Sequence, residues 1–201
     1  MSPARESGIP ASLRILGIDP GTAVVGLGCI ELPAARSAPA SGIQNAVLLR
    51  RGPGRLRLVD ACALRLGKPG DPIETRLLRL SEVVVEAFRR LQPDWLAVEE
   101  AFYGKSVQSA LRIGEARGVI LLAAASHGVP VAQYAPATVK LKVAGRGGAS
   151  KDTLARMLEY TLGIPLAGLA GDATDALAVA YCHSSALEAR ALAGSETSER
   201  P

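Results

Sequence analysis

Four carboxylates stand where elements of the chain end or begin. Asp19 closes the apolar run from Leu13, and Glu99 closes a second run from Trp95. Asp172 and Asp175 lie three residues apart at the mouth of a helix-forming stretch, so both project near its first turn. Singly, each has an ordinary structural explanation. Asp19-Pro20-Gly21 is a turn opener, Glu99 suits a solvated strand end, and Asp172 with Asp175 suits an N-cap with a first-turn charge. Together they suit a different chemistry. Strand ends on one edge of an α/β sheet converge on the crevice where such folds place their sites. Several hard oxygen donors, with no thiolates or clustered histidines, favour Mg2+ or Mn2+ over zinc. Two such ions ~4 Å apart can activate a water and stabilise the leaving oxygen of a phosphodiester. Carboxylates gathered this closely repel one another, so their convergence needs the metal.

The elements that must position them can be read from the punctuation and periodicity. Leu13–Asp19 and Val24–Leu32 read as antiparallel strands joined at Asp19-Pro20-Gly21. Residues 33–43 form a small-residue loop, and Ala46–Arg50 and Arg55–Cys62 a strand pair about Gly52-Pro53-Gly54. Asp71-Pro72 opens a helix to about Leu91, with Ile73, Leu77, Leu80, Val84 and Phe88 at helical spacing. The run Trp95–Glu99 reads as a buried strand by its continuous apolarity. A long helix Ser106–His127, a strand Val129–Tyr134 and a helix Ser150–Leu162 follow. Asp172 opens a last helix, from Ala173 to about Arg190. Strands first, then helices alternating with single strands, predict an α/β mixed sheet with helices on both faces. One domain is expected over 13–190, flanked by flexible tails at 1–12 and 191–201.

Bulk properties narrow the class. With 48% hydrophobic residues in 201, the chain can bury a core, which excludes a disordered protein. A formal net charge of +4 permits a polyanionic partner without requiring one. Cys29, Cys62 and Cys182 are far apart and odd in number, which predicts neither a zinc site nor a disulfide framework. No apolar run is long enough for a signal segment or a membrane span, so a cytoplasmic protein is expected.

The order of short motifs adds a family. Ile15-Leu16-Gly17-Ile18-Asp19-Pro20-Gly21-Thr22, with Gly26-Leu27-Gly28, resembles the opening of the RuvC family of Holliday junction resolvases. Ala97-Val98-Glu99-Glu100-Ala101-Phe102 resembles its second acidic motif. Ser109-Ala110-Leu111, Gly114 and Ala116-Arg117-Gly118 are similar to its long helix, and Asp172 to Ala180 to its closing motif. The resemblance covers about residues 13–183 in register. It implies a ribonuclease-H-like fold, a homodimer, a crossover junction endodeoxyribonuclease activity dependent on Mg2+ or Mn2+ (two ions per site), and RuvA and RuvB as partners. By position it makes Asp19, Glu99, Asp172 and Asp175 the catalytic and metal-binding set. Asp19 would be shared between two ions, and Asp172, where some relatives carry histidine, has the least fixed role. Glu100 stands where glutamine is common in the family, and strand alternation turns it away from Glu99. The interval from Asp19 to Glu99 is longer than the family's usual one, with the surplus in 33–70.

A DNA substrate needs cations. Lys140 to Lys151 reads as a loop with Lys140, Lys142, Arg146 and Lys151 among three glycines, suited either to phosphates or to solvent. The resemblance favours the first for Lys140 and Lys151. Arg50, Arg51, Arg55 and Arg57 are read as solvated charges. Phe102 matches the family's base-stacking aromatic, a contact worth ~1–3 kcal/mol per base, whereas Tyr103 is read as core. His127 and His183 are read as capping or surface residues. Two other classes compete: sugar kinase and actin-like ATPases also carry Asp-x-Gly-Thr after a strand, and a non-catalytic protein could bind junctions. The first needs a second phosphate loop and a second large domain, and 201 residues with no second Asp-x-Gly supply neither. The second would not require four carboxylates.

Overall fold

A computed structural model describes residues 12–33, 56–100 and 107–197, with the side chains of the last helix described as far as Arg190. Five strands form one sheet: β1 (Ser12–Asp19), β2 (Val24–Pro33), β3 (Arg57–Arg65), β4 (Trp95–Glu99) and β5 (Val131–Tyr134). Their order across the sheet is β3-β2-β1-β4-β5. β1 pairs antiparallel with β2 and parallel with β4, and β4 pairs parallel with β5. The sheet is therefore mixed, as the alternation of elements predicts.

Side-chain alternation along β1 and β4 divides the core in two. Leu16, Ile18 and Leu96 face one way, against Leu80, Val84 and Phe88 of α1 (Ile73–Leu91) and Ala116 and Ile120 of α2 (Val107–Ser126). Ile15 and Ala97 face the other way, under α3 (Pro136–Ala144), α4 (Lys151–Leu162) and α5 (Gly171–Thr197). Asp19 shares parity with Ile15 and Gly17, and Glu99 with Ala97. Both carboxylates therefore fall on the α5 face.

Several expectations need correction. Residues 140–144 are not loop but the second half of α3, with Val139 and Val143 buried one turn apart. Pro136 starts this helix, where its missing N–H is harmless, and Gly145 ends it in the left-handed region at φ 74°. His183 is no surface residue: it is 2% exposed within α5, accepts or donates at Nδ1 to the Tyr134 hydroxyl at 2.7 Å, and packs its ring on Trp95. Burial pulls its imidazole down to about 4. His127 does cap: its Nδ1 lies 2.8 Å from the Ala123 carbonyl at the end of α2. α5 also continues to Thr197, beyond its expected end near Arg190. β3 spans Arg57–Arg65 where Arg55–Cys62 was expected, and the expected strand 46–50 and residues 50, 51 and 55 lie outside the described residues. Arg57 pairs with Glu31 at 2.6 Å, an exposed ion pair in keeping with a solvated charge.

Candidate active site

The β1–β4 register matches Ile18 with Val98, so the next residues on each strand are Asp19 and Glu99. On its other side Asp19 pairs with Gly26 of β2. That glycine decides where α5 begins. A Cβ at Gly26 would overlap the Asp172 carbonyl oxygen, and one at Gly17 would overlap the Ala176 carbonyl oxygen. Only glycine lets the α5 backbone lie this close to β1 and β2. The fully buried Ala173, Ala176, Leu177 and Ala180 then hold the helix down. Its first turn carries Asp172 and Asp175 to the edge of the sheet where β1 and β4 end.

Asp19 and Glu99 sense the carboxylates around them. The Asp19 carboxyl is pushed up to about 7, first by burial and then by the charges of Asp175, Glu99 and Asp172. Glu99 is raised as well, by burial and then by Asp175. Three cations answer them: Lys151, Lys140 and, at Glu99, Arg117. Lys151, the first residue of α4, donates from Nζ to Asp175 Oδ2 at 2.6 Å, and its charge reaches Asp19 and Glu99. The Lys140 charge, from α3, acts on Glu99. Ser150 caps α4 by accepting from Thr153 N, which fixes the turn where Lys151 starts. Lys142 and Arg146 are exposed, and the Lys142 charge is felt at Cys182 of α5. Glu100 is exposed, its N–H donating to the Tyr134 carbonyl. Phe102 and Tyr103 lie outside the described residues.

Among the described residues no three histidine, cysteine, aspartate or glutamate side chains are drawn together tightly enough to grip an ion as they stand. Asp175 instead holds an ammonium. The donor set nevertheless fits a hard divalent cation. Every donor is a carboxylate oxygen, and burial followed by the neighbouring carboxylate charges pushes Asp19 up to about 7, a penalty that a cation would relieve. An ion at Asp175 would have to compete with the Lys151 ammonium.

One contact beside the site is not visible in the motif Ala116-Arg117-Gly118: Arg117 is buried and donates from Nη1 to the Glu99 carbonyl. The readable signal is its place beside Ala116 and one turn before Ile120 and Leu121, where a cation needs a built partner.

The family model described as crossover junction endodeoxyribonuclease RuvC matches residues 15–183. A crossover junction endodeoxyribonuclease RuvC of Chloroflexus aggregans is 45% identical over 172 residues, covering 86% of this chain and 93% of that protein. One from Moorella thermoacetica is 43% identical over 173 residues, covering 86% and 92%. Among solved structures, T. thermophilus RuvC in complex with a Holliday junction substrate superposes with a TM-score of 0.72 at 31% identity, covering 88% of this chain and 95% of that one.

Proposed function

The chain belongs to the crossover junction endodeoxyribonuclease RuvC family, and on that premise we propose that Asp19, Glu99, Asp172 and Asp175 form the site with which it nicks four-way junction DNA. It is a structure-specific endodeoxyribonuclease of the ribonuclease-H-like fold that resolves Holliday junctions in homologous recombination and repair. Membership sets aside the kinase-like and non-catalytic alternatives. The observation that carries the site assignment is the arrival of four carboxylates from three elements at one sheet edge, close enough to raise Asp19 together.

Mg2+ or Mn2+, in two copies, is the cofactor that this oxygen-only set suits. When bound, the ions supply an activated water and charge stabilisation at the leaving oxygen. Asp19 stands between its strand neighbour Glu99 and the α5 pair, so we assign it the shared position. Glu99 would hold one ion and Asp172 with Asp175 the other. Lys151 and Lys140 neutralise phosphates next to this centre, and Lys142 and Arg146 extend the cationic edge outward. Phe102 is assigned to base stacking on family membership alone.

A homodimer is the assembly we propose. Val107, Leu111, Gly114, Gly118, Leu122 and Ala125 run along α2 at spacings of three and four, and all are exposed. Leu111 and Leu122 are 65% and 69% exposed, and a Cβ at Gly114 or Gly118 would meet nothing within 4 Å. Such a stripe needs cover, and a second copy provides it with the two-fold symmetry that paired nicks require. RuvA and RuvB are proposed as partners from the family. Among the described residues no helix is long and apolar enough to cross a membrane.

The test is nicking of a synthetic four-way junction in Mg2+ or Mn2+, with linear duplex as control. Asp19→Asn, Glu99→Gln and Asp175→Asn should each nearly abolish nicking while junction binding persists, with Asp172→Asn the mildest. A variant that cuts at a near-normal rate removes its residue from the site.

A further inference from the structure

Arg117 is 9% exposed in α2, a helix that also buries Ala116, Ile120 and Ala124. A guanidinium taken out of water costs several kcal/mol unless acceptors meet it. Arg117 finds two. Nη1 donates to the backbone carbonyl of Glu99, and Nη2 donates to Oε1 of Gln133 at 2.5 Å. Glu99 ends β4, and Gln133 lies opposite Val98 on β5. One rigid fork therefore ties α2 to the ends of both strands that it connects.

The same peptide is held from its other side. Glu100 N–H donates to the Tyr134 carbonyl at 2.8 Å. The carbonyl of Glu99 and the N–H of Glu100 belong to one planar unit. With both polar atoms engaged, and one bond charge-assisted, that plane is fixed relative to β5 and α2. Fixing it fixes the direction in which the Glu99 Cα–Cβ bond leaves the strand. The Glu99 side chain, on the opposite face from α2, is then aimed beside Asp19 without a direct contact to Arg117's guanidinium being needed.

We propose that Arg117 is a positioning residue for the metal site, clamping the Glu99–Glu100 peptide so that the Glu99 carboxylate stands ready as a ligand. This rests on the reading of Glu99 as a metal ligand. Two mechanisms give opposite signs. If Arg117 acts only as a nearby positive charge, its removal tightens cation binding, because repulsion is lost. If it positions Glu99, its removal loosens cation binding, as loss of a partner behind a metal ligand does.

The experiment is calorimetric titration of Mn2+ into the full-length, DNA-free protein at pH 8, with thermal melts of each variant alongside. Arg117→Met should weaken Mn2+ binding about tenfold, at the low end of what loss of such a partner costs. Arg117→Lys, which can reach one acceptor but not both, should recover part of that loss. Gln133→Leu should weaken binding in the same direction by less. In a Glu99→Gln background, Arg117→Met should cause no further loss, because its target is gone. Unchanged or tighter Mn2+ binding in Arg117→Met, with Glu99→Gln impaired, overturns the proposal, even if the melting temperature falls. Should Arg117→Met not fold, unchanged binding in both Arg117→Lys and Gln133→Leu overturns it equally. If Glu99→Gln itself binds Mn2+ normally, the metal-site reading fails first, and Arg117's role falls with it.

Discussion

Asp19→Asn should make the metal-free protein more stable at pH 8 and leave it unchanged at pH 4. The Asp19 carboxyl titrates at about 7 in the fold against an ordinary 3.8. Burial is the largest cause, followed by the charges of Asp175, Glu99 and Asp172. Between these two values the folded state binds more protons than the unfolded one, so stability falls as pH rises. Below about pH 4 the penalty is absent, and above about pH 7 it is complete. At 1.36 kcal/mol per decade of acidity the ceiling is about 4 kcal/mol. Asp19 is partly open to solvent, which screens some of this, so about 2–4 kcal/mol is the working range. Asparagine keeps the shape and removes the charge, and should raise the melting temperature by on the order of 5–15 °C at pH 8. The measurement is urea unfolding of both proteins in a chelator from pH 4 to 8.5. Only the difference between them is read. His183, drawn down to about 4, favours unfolding as pH falls below its ordinary 6.5, but it does so in both proteins and cancels. A difference that does not change with pH, or a wild type that is the more stable at pH 8, refutes the reasoning. Added Mn2+ should then stabilise the wild type more than the variant, by about 2.7 kcal/mol at a hundredfold excess over the dissociation constant.

Three further outcomes test the surroundings of the site. Gly26→Ala places a methyl group on the Asp172 carbonyl, so α5 must shift; a loss of about 1–3 kcal/mol in stability is expected, with nicking impaired more than junction binding. Lys151→Ala should weaken junction binding and lower its salt slope by about one, and an unchanged slope returns Lys151 to the solvated charges. Gly118→Arg, in the open stripe of α2, should give a folded monomer in sedimentation where the wild type sediments as a dimer; a monomeric wild type that cleaves junctions in full overturns the dimer.

Much of this was legible because period and punctuation coincide with burial. The apolar run Leu13–Asp19 with its turn signal and the continuous run Trp95–Glu99 place the strands within a residue or two of β1 and β4, and those strands end at their carboxylates. The Asp172–Asp175 pair was readable from helix-start chemistry. The helix α3 was not. Its buried face has only Val139 and Val143, too few to show a period, and the cations and glycines after them dominate the reading. Pro136 and Gly145 were the available signals. Arg117 escaped for a different reason: sequence reports that a residue is polar, but its acceptors, Glu99 O and Gln133 Oε1, come from strands 18 and 16 residues away along the chain. His183 hid likewise, since Tyr134 and Trp95 reach it from 49 residues away and from the start of β4.

Packing and charge act against each other in α5, and their sizes can be compared. Assembling the carboxylates costs at most about 4 kcal/mol through Asp19. The helix that brings Asp172 and Asp175 in also buries Leu177 and Val179 completely, together with Ala173, Ala176 and Ala180. Each fully buried Leu or Val side chain contributes about 1.5–3 kcal/mol. Those two alone offset most or all of the repulsion, and the alanines add to the balance. The glycine track on β1 and β2 is what lets this burial occur at backbone distance. A bulkier residue there would relieve the charge by letting α5 drift away, and would disperse the site in doing so. The glycines therefore matter to the site through the helix they admit: apolar contact along α5 holds like charges together at its N-terminus.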